Sequence, residues 1–163
     1  MQQTRRTSAR YLIALVVILS VISVQTSEFV GQQSEVMTVT IEAGDTLADS
    51  VTQATIETGW IEFPDQTILR VIATQKWRVR ATAVVVSFPG GATNPTANAI
   101  QIKNSLGIYS PAGPPGVIVQ RGFPTPAQGI TFGVDLRVML KPFEDGKAGL
   151  YQFTINYTIE EDI

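Results

Sequence analysis

The stretch KWRVRATAVVV, residues 76–86, decides the class of fold. Apolar residues alternate in it with charged or polar ones, and β-branched residues are frequent. Successive side chains of a β-strand point to opposite faces, so the alternation predicts a strand that is buried on one side only. The inner set is Trp77, Val79, Ala81, Ala83 and Val85, and the outer set is Lys76, Arg78, Arg80 and Thr82. Trp77 is therefore expected in the core.

Two later runs alternate still more regularly. In GVDLRVMLK, residues 133–141, every second residue is aliphatic, and in LYQFTINYTIE, residues 150–160, aromatic and aliphatic side chains alternate with polar ones. The connection KPFEDGKAG carries two acids and two glycines. We predict that the two runs form an antiparallel hairpin whose inner faces supply core.

The remaining sequence after the N-terminal segment also indicates strands and loops. Residues 36–42 and 67–74 are rich in β-branched side chains, and prolines and glycines concentrate in residues 87–129. The segment 45–54 fits one or two helical turns or a strand. The prediction is an all-β fold: a single antiparallel β-sandwich, immunoglobulin-like or jelly-roll-like, of about seven to nine strands, preceded by an N-terminal signal helix.

The N-terminal segment has the pattern of an export signal. Residues 1–10 carry three arginines and no acid, and residues 11–24 are apolar or small. Fourteen helical residues span about 21 Å, which is short of a bilayer core of roughly 30 Å. We expect residues 1–25 to be a signal, cleaved in the mature protein, residues 26–35 a flexible arm and residues 36–163 the sandwich. The protein is expected to be secreted or at the cell surface, with membrane contact only through an uncleaved signal.

Composition excludes several classes of function. The chain has no histidine and no cysteine, which rules out disulfides, His-based catalysis and thiol nucleophiles. Loss of residues 1–25 leaves nine basic and fourteen acidic residues, and an acidic chain is a poor ligand for nucleic acid. We expect no enzymatic activity, no cofactor, no metal site and no nucleic-acid partner.

The pattern Trp77-Arg78-Val79-Arg80-Ala81, followed late in the chain by an acidic, glycine-containing turn at residues 144–151, resembles a broad group of prokaryotic secreted β-sandwich domains. These domains occur in surface and fimbria-like, or pilus-like, subunits. The resemblance covers residues 36–160. It implies a structural role outside the cell.

An assembly mechanism follows from the arm and the sandwich edges. Exposed edge strands accept strands of other chains, so residues 26–41 are expected to pair with a neighbour. The partners would be other copies of the chain or related surface subunits. Candidate anchors are Phe29, Val30, Val36, Val39 and Ile41. In the alternative interpretation, residues 36–42 are the first strand of the chain's own sheet and only residues 26–35 form the arm.

Two aromatic residues support an alternative function as a secreted carbohydrate-binding or adhesion module. Trp60 and Tyr109 lie in turn-rich segments, where an exposed ring can stack on a sugar face. Anchoring a loop onto the sandwich is the other interpretation of each. Asn156 begins the sequon Asn-Tyr-Thr on the predicted outer face of the last strand and is a candidate glycosylation site.

Overall fold

The computed structural model describes residues 13–21, 36–51, 57–92, 94–141 and 149–163, and the side chains of 13–21, 50 and 51 are not part of that description. These residues contain ten β-strands, and a short 3-10 turn, Ala97–Ala99, precedes the sixth. The strands are β1 Ile13–Val21, β2 Met37–Ala43, β3 Thr46–Val51, β4 Trp60–Ala73, β5 Trp77–Ser87, β6 Ile100–Lys103, β7 Tyr109–Pro111, β8 Val117–Gly122, β9 Ile130–Met139 and β10 Gly149–Glu161.

The strands form two five-stranded sheets that pack as a sandwich. Sheet A has the order β3-β1-β10-β5-β8, and sheet B has the order β2-β4-β9-β6-β7. Neighbouring strands are antiparallel, except that β1 runs parallel to β10. The predicted all-β sandwich is therefore confirmed. Nine of the ten strands lie outside the apolar N-terminal segment, which agrees with the expected seven to nine.

The core lies between the sheets, and Trp77 is its largest fully buried side chain. The ring of Trp77 lies 6.2 Å from that of Phe132 in the opposite sheet, and its Nε1 donates a 2.8 Å hydrogen bond to the carbonyl oxygen of Phe123. A large aromatic side chain needs such a partner for its N–H when it is buried. The inner set predicted for residues 76–86 is confirmed, because Val79, Ala81 and Ala83 are buried and Val85 packs against the core.

A second buried contact joins the sheets through Tyr157 of β10. Its hydroxyl donates to Oγ1 of Thr67 in β4 over 3.3 Å. Burial disfavours the phenolate and raises the pKa of Tyr157 to about 12, although the bond to Thr67 opposes this shift. The buried hydroxyl of Tyr157 is thus hydrogen-bonded to a residue of the opposite sheet.

The predicted hairpin of residues 133–141 and 150–160 is wrong. β9 lies in sheet B between β4 and β6, whereas β10 lies in sheet A between β1 and β5. The inner faces were identified correctly, since Val134, Leu136, Tyr151 and Phe153 are all buried. Alternation determines which side chains are buried, and two strands that face each other across a core satisfy it as well as two neighbours. Tight hairpins use two to five residues, whereas nine residues separate the end of β9 from the start of β10.

The predicted signal helix is not what the structure shows at the N-terminus. Residues Ile13–Val21 form strand β1, which pairs with β10 from Gly149 to Tyr157 and with β3 from Thr46 to Val51. An unbroken apolar run has no period that distinguishes a buried strand from a helix, and the frequent valines and isoleucines here favour a strand. Within the described ranges no helix is both long and apolar enough to cross a membrane.

Candidate functional site

The outer face of sheet B gathers two aromatic rings around one arginine. The guanidinium carbon of Arg137, in β9, lies 3.9 Å from the ring centroid of Tyr109 and 5.2 Å from that of Trp60. Both distances are within the range of cation–π attraction. We call this group, together with Glu62, Lys103 and Asp135, the Arg137 cluster. Trp60 and Tyr109, two independent candidates in the sequence, thus belong to one surface.

Strand register brings the cluster together. Glu62 of β4 lies opposite Arg137 of β9, and Lys103 of β6 lies opposite Tyr109 of β7. Arg137 is also the cross-strand partner of Gln101 in β6. Because residues between these positions on β9 point into the core, the cluster side chains point outward. Trp60 and Tyr109 each open a strand instead of lying within a loop.

The charges of the cluster are paired within it. Arg137 donates to Oε1 of Glu62 through both Nε, at 3.0 Å, and Nη2. Lys103 Nζ lies 2.7 Å from Oδ2 of Asp135, whose Oδ1 accepts a 2.9 Å bond from the backbone N–H of Asp65. Two cations therefore neutralise two carboxylates on a small area.

These contacts shift the proton affinities of the cluster. The backbone N–H of Asp65 and the ammonium of Lys103 lower the pKa of Asp135. The hydrogen bond and the charge of Asp135 in turn raise the pKa of Lys103. Burial raises the pKa of Tyr109, and the charges of Glu62 and Asp135 add to that rise. Near neutral pH the cluster therefore contains the neutral phenol of Tyr109 and two ion pairs, Arg137–Glu62 and Lys103–Asp135.

Trp60 remains accessible in this arrangement. It is 47% exposed, whereas Tyr109 is half-buried, with Arg137 close against one face of its ring. Arg137 was not among the site residues predicted from the sequence. Its place on the outer face of a strand was evident, but its neighbours on β4 and β7 follow only from the order of strands.

The predicted assembly residues fall in two places. Val39 is buried and Ile41 packs against the core, both within β2, which pairs with β4 of the same chain. Val36 is 39% exposed, and its carbonyl oxygen accepts a 2.9 Å bond from the N–H of Thr74. Strand β2, Met37–Ala43, thus belongs to the chain's own sheet, as the alternative interpretation expected for residues 36–42, although β1 precedes it in the chain. Phe29 and Val30 lie outside the described residues, and the anchor role stays a prediction.

Asn156 lies in the middle of β10, where it is half-buried. Its register partners are Thr82 of β5 and Ser20 of β1. Glycosylation at this position stays a prediction. A glycan there would project from the outer face of sheet A, opposite to the face that carries the Arg137 cluster.

No group of three or more acidic, His or Cys side chains suited to a metal ion occurs among the residues whose positions are described. Comparison with known protein families finds no match for the chain, and comparison with curated proteins finds none either.

Proposed function

We propose that this protein is a secreted, non-enzymatic structural subunit of a surface filament or surface layer, assembled by β-strand addition or edge contacts. The observation that supports the proposal is the position of β1. Residues Ile13–Val21, part of the predicted export signal, lie inside sheet A between β3 and β10. One segment thus has two alternative roles, as a signal or as an interior strand.

Signal cleavage would leave a gap in sheet A. Neighbouring strands in a sheet lie about 4.8 Å apart, so β3 and β10 would be separated by about 10 Å without β1. Their facing backbone N–H and C=O groups would lose their partners, and unpaired groups of this kind are a template for another strand. We call this position the β1 gap. It is suited to a strand supplied by another chain.

The arm of a neighbouring subunit has the length needed to fill the β1 gap. The arm, residues 26–35, has ten residues, and β1 has nine. Main-chain hydrogen bonds would supply binding, and the apolar pair Phe29-Val30 would set the register. The arm would have to run parallel to β10 and antiparallel to β3, as β1 does.

The proposal is tested with chains that differ only at the N-terminus. The full chain and a chain that begins at Thr26 are compared by light scattering after size exclusion and by negative-stain microscopy. We expect the full chain to be monomeric, because β1 fills the gap, and the Thr26 chain to form oligomers or fibres. A third chain begins at Val36, and it should not form fibres because it lacks the arm.

A self-complemented chain provides the matched control. Residues 11–24 are attached behind Ile163 of the Thr26 chain through a flexible linker of about 20 residues, long enough to run back along β10 at roughly 3.4 Å per residue. This chain should be monomeric. The same chain with Val17→Pro, which removes one N–H in the middle of the ladder, should assemble again. A Thr26 chain that stays monomeric and is as stable as the full chain would refute the proposal.

A further inference from the structure

We propose that the Arg137 cluster binds a neutral pyranoside glycan, with Trp60 as the stacking platform. The inference goes beyond assembly, since the cluster lies on the outer face of sheet B and the β1 gap lies in sheet A. A surface subunit with such a site would attach its filament or layer to a polysaccharide.

Trp60 provides the platform because its ring is held and yet accessible. Arg137 contacts both rings, and its guanidinium is fixed by Glu62, so the indole is supported from one side while 47% of its surface stays exposed. The face of an aromatic ring carries a partial negative charge. The C–H face of a pyranose is weakly positive and flat, and it therefore fits this surface.

The polar members of the cluster fit the hydroxyl groups of a sugar. A carboxylate has about four acceptor sites, so Glu62 and Asp135 keep acceptor capacity beside their ion pairs. The phenol of Tyr109, whose pKa is raised, stays protonated and can donate or accept. Donors and acceptors thus lie on the same outer face as a single exposed ring, as the recognition of an orientated sugar requires.

Charge pairing indicates a neutral ligand. Lys103 is bound to Asp135 and Arg137 to Glu62, so a phosphate or a uronic acid would have to displace an internal carboxylate. An apolar protein partner is disfavoured for a different reason: it would bury four charged groups without replacing their contacts with water, which is costly. A hydroxyl-rich neutral ligand keeps these groups hydrogen-bonded.

The two tryptophans of the chain make the test direct. Trp77 is fully buried and Trp60 is exposed, so collisional quenching of fluorescence by acrylamide reports chiefly on Trp60. The full chain is titrated separately with cellopentaose, mannopentaose, chitotetraose and, as the anionic probe, tetragalacturonate. We expect at least one neutral oligosaccharide to protect Trp60 saturably and tetragalacturonate to have no effect.

Variants assign the binding to the cluster. Binding of that oligosaccharide, measured by calorimetry, should weaken about tenfold or more in Trp60→Ala, which corresponds to roughly 1.4 kcal/mol. The control is Phe123→Ala, because Phe123 is a 75% exposed ring with Lys76 Nζ 5.7 Å from its centroid but lies outside the cluster. It should bind normally. Near-ultraviolet circular dichroism of Trp77 verifies the fold of both variants.

Three results would overturn the inference. One is that none of the neutral oligosaccharides binds at millimolar concentration. Another is that Trp60→Ala and Phe123→Ala bind equally well. The third is that only tetragalacturonate binds, which would indicate an anion site formed by Arg137 and Lys103.

Discussion

β10 has two neighbours in sheet A that differ in kind. On one side it pairs with β5 in the antiparallel sense, and Glu160 of β10 forms ion pairs with Arg78 and Arg80 of β5. On the other side it pairs with β1 in the parallel sense. An antiparallel pair is slightly more stable per residue than a parallel one. The β5 side is part of the sandwich core, whereas the β1 side is built by a segment with the pattern of an export signal.

The contacts of β5 show how this neighbour of β10 is fixed in the sandwich. β5 contributes Trp77, Val79, Ala81 and Ala83 to the core, and its far edge pairs with β8 from Trp77 to Ala81. Ion pairs cross these strands, since Asp162 also binds Arg78 and Arg121. The β5 side is therefore fixed by packing and by charge. Under the proposed assembly the β5 side is permanent, whereas the occupant of the β1 side is exchanged between the signal segment and the arm of a neighbouring subunit.

A substitution of Trp77 on the β5 side should destabilise the protein most. Trp77→Ala removes the largest buried side chain and its hydrogen bond to Phe123, and it leaves a cavity between Gly122 of β8 and Phe132. We expect a loss of about 3–5 kcal/mol in the free energy of unfolding, measured by denaturant titration. The matched variant Trp60→Ala removes an exposed ring and should cost less than about 1 kcal/mol. Equal losses would contradict the assignment of Trp77 as the core anchor.

Tyr157, the buried tyrosine of β10, should make the next largest contribution to the free energy of unfolding, and this contribution depends on pH. Because the pKa of Tyr157 is raised to about 12 from a usual 10, the neutral phenol stabilises the fold fully below pH 10. Above pH 10 the unfolded chain loses its proton while the folded chain keeps it, so the free energy of unfolding falls, by about 2 kcal/mol at pH 12. Tyr157→Phe should remove this alkaline loss while weakening the protein by about 1 kcal/mol at pH 7 through the lost bond to Thr67.

Tyr157 also tests the β1 side, since its register partners are Val21 in β1 and Ala81 in β5. If β1 closes the sheet over this position, the alkaline loss should be smaller in the Thr26 chain held as a monomer at low concentration. The difference between the wild-type and Tyr157→Phe stability curves of each chain gives the measurement. An identical alkaline loss in both chains would mean that β1 does not contribute to the burial of Tyr157.

Much of the fold follows from the sequence because the burial of one face of a strand appears as a pattern in adjacent residues. Period-two alternation identified the inner faces of β5, β9 and β10, and a buried tryptophan was expected at Trp77. No local pattern of this kind indicates which strands become neighbours, because the contacts between strands join residues far apart in the chain. The predicted β9–β10 hairpin failed for this reason.

Because strand pairing cannot be deduced from local sequence, only part of the Arg137 cluster was predicted. Trp60 and Tyr109 were identified individually, since an aromatic residue in a turn-rich segment is notable by itself. Arg137 and Glu62 are ordinary outer-face residues of two strands, and only the β4–β9 register places them opposite each other. The N-terminal segment differs, because an uninterrupted apolar run is compatible with a helix and with an interior strand.

The ion pair of Glu160 at the end of β10 should make the weakest of these contributions. Burial raises the pKa of Glu160, but the hydrogen bonds and charges of Arg80 and Arg78 outweigh it, and the net pKa is lowered. The stabilisation is therefore complete above the unfolded pKa near 4.5 and is lost as pH falls through the lower folded value. Glu160→Gln should cost about 0.5–1 kcal/mol at pH 7, since pairs with this exposure are weak, and the cost should shrink as the pH falls below 4.5. Glu161→Gln, at the exposed neighbouring position, is the control and should change little. A loss that does not shrink as the pH falls below 4.5 would show that packing of the Glu160 side chain, and not its charge, holds β10 to β5.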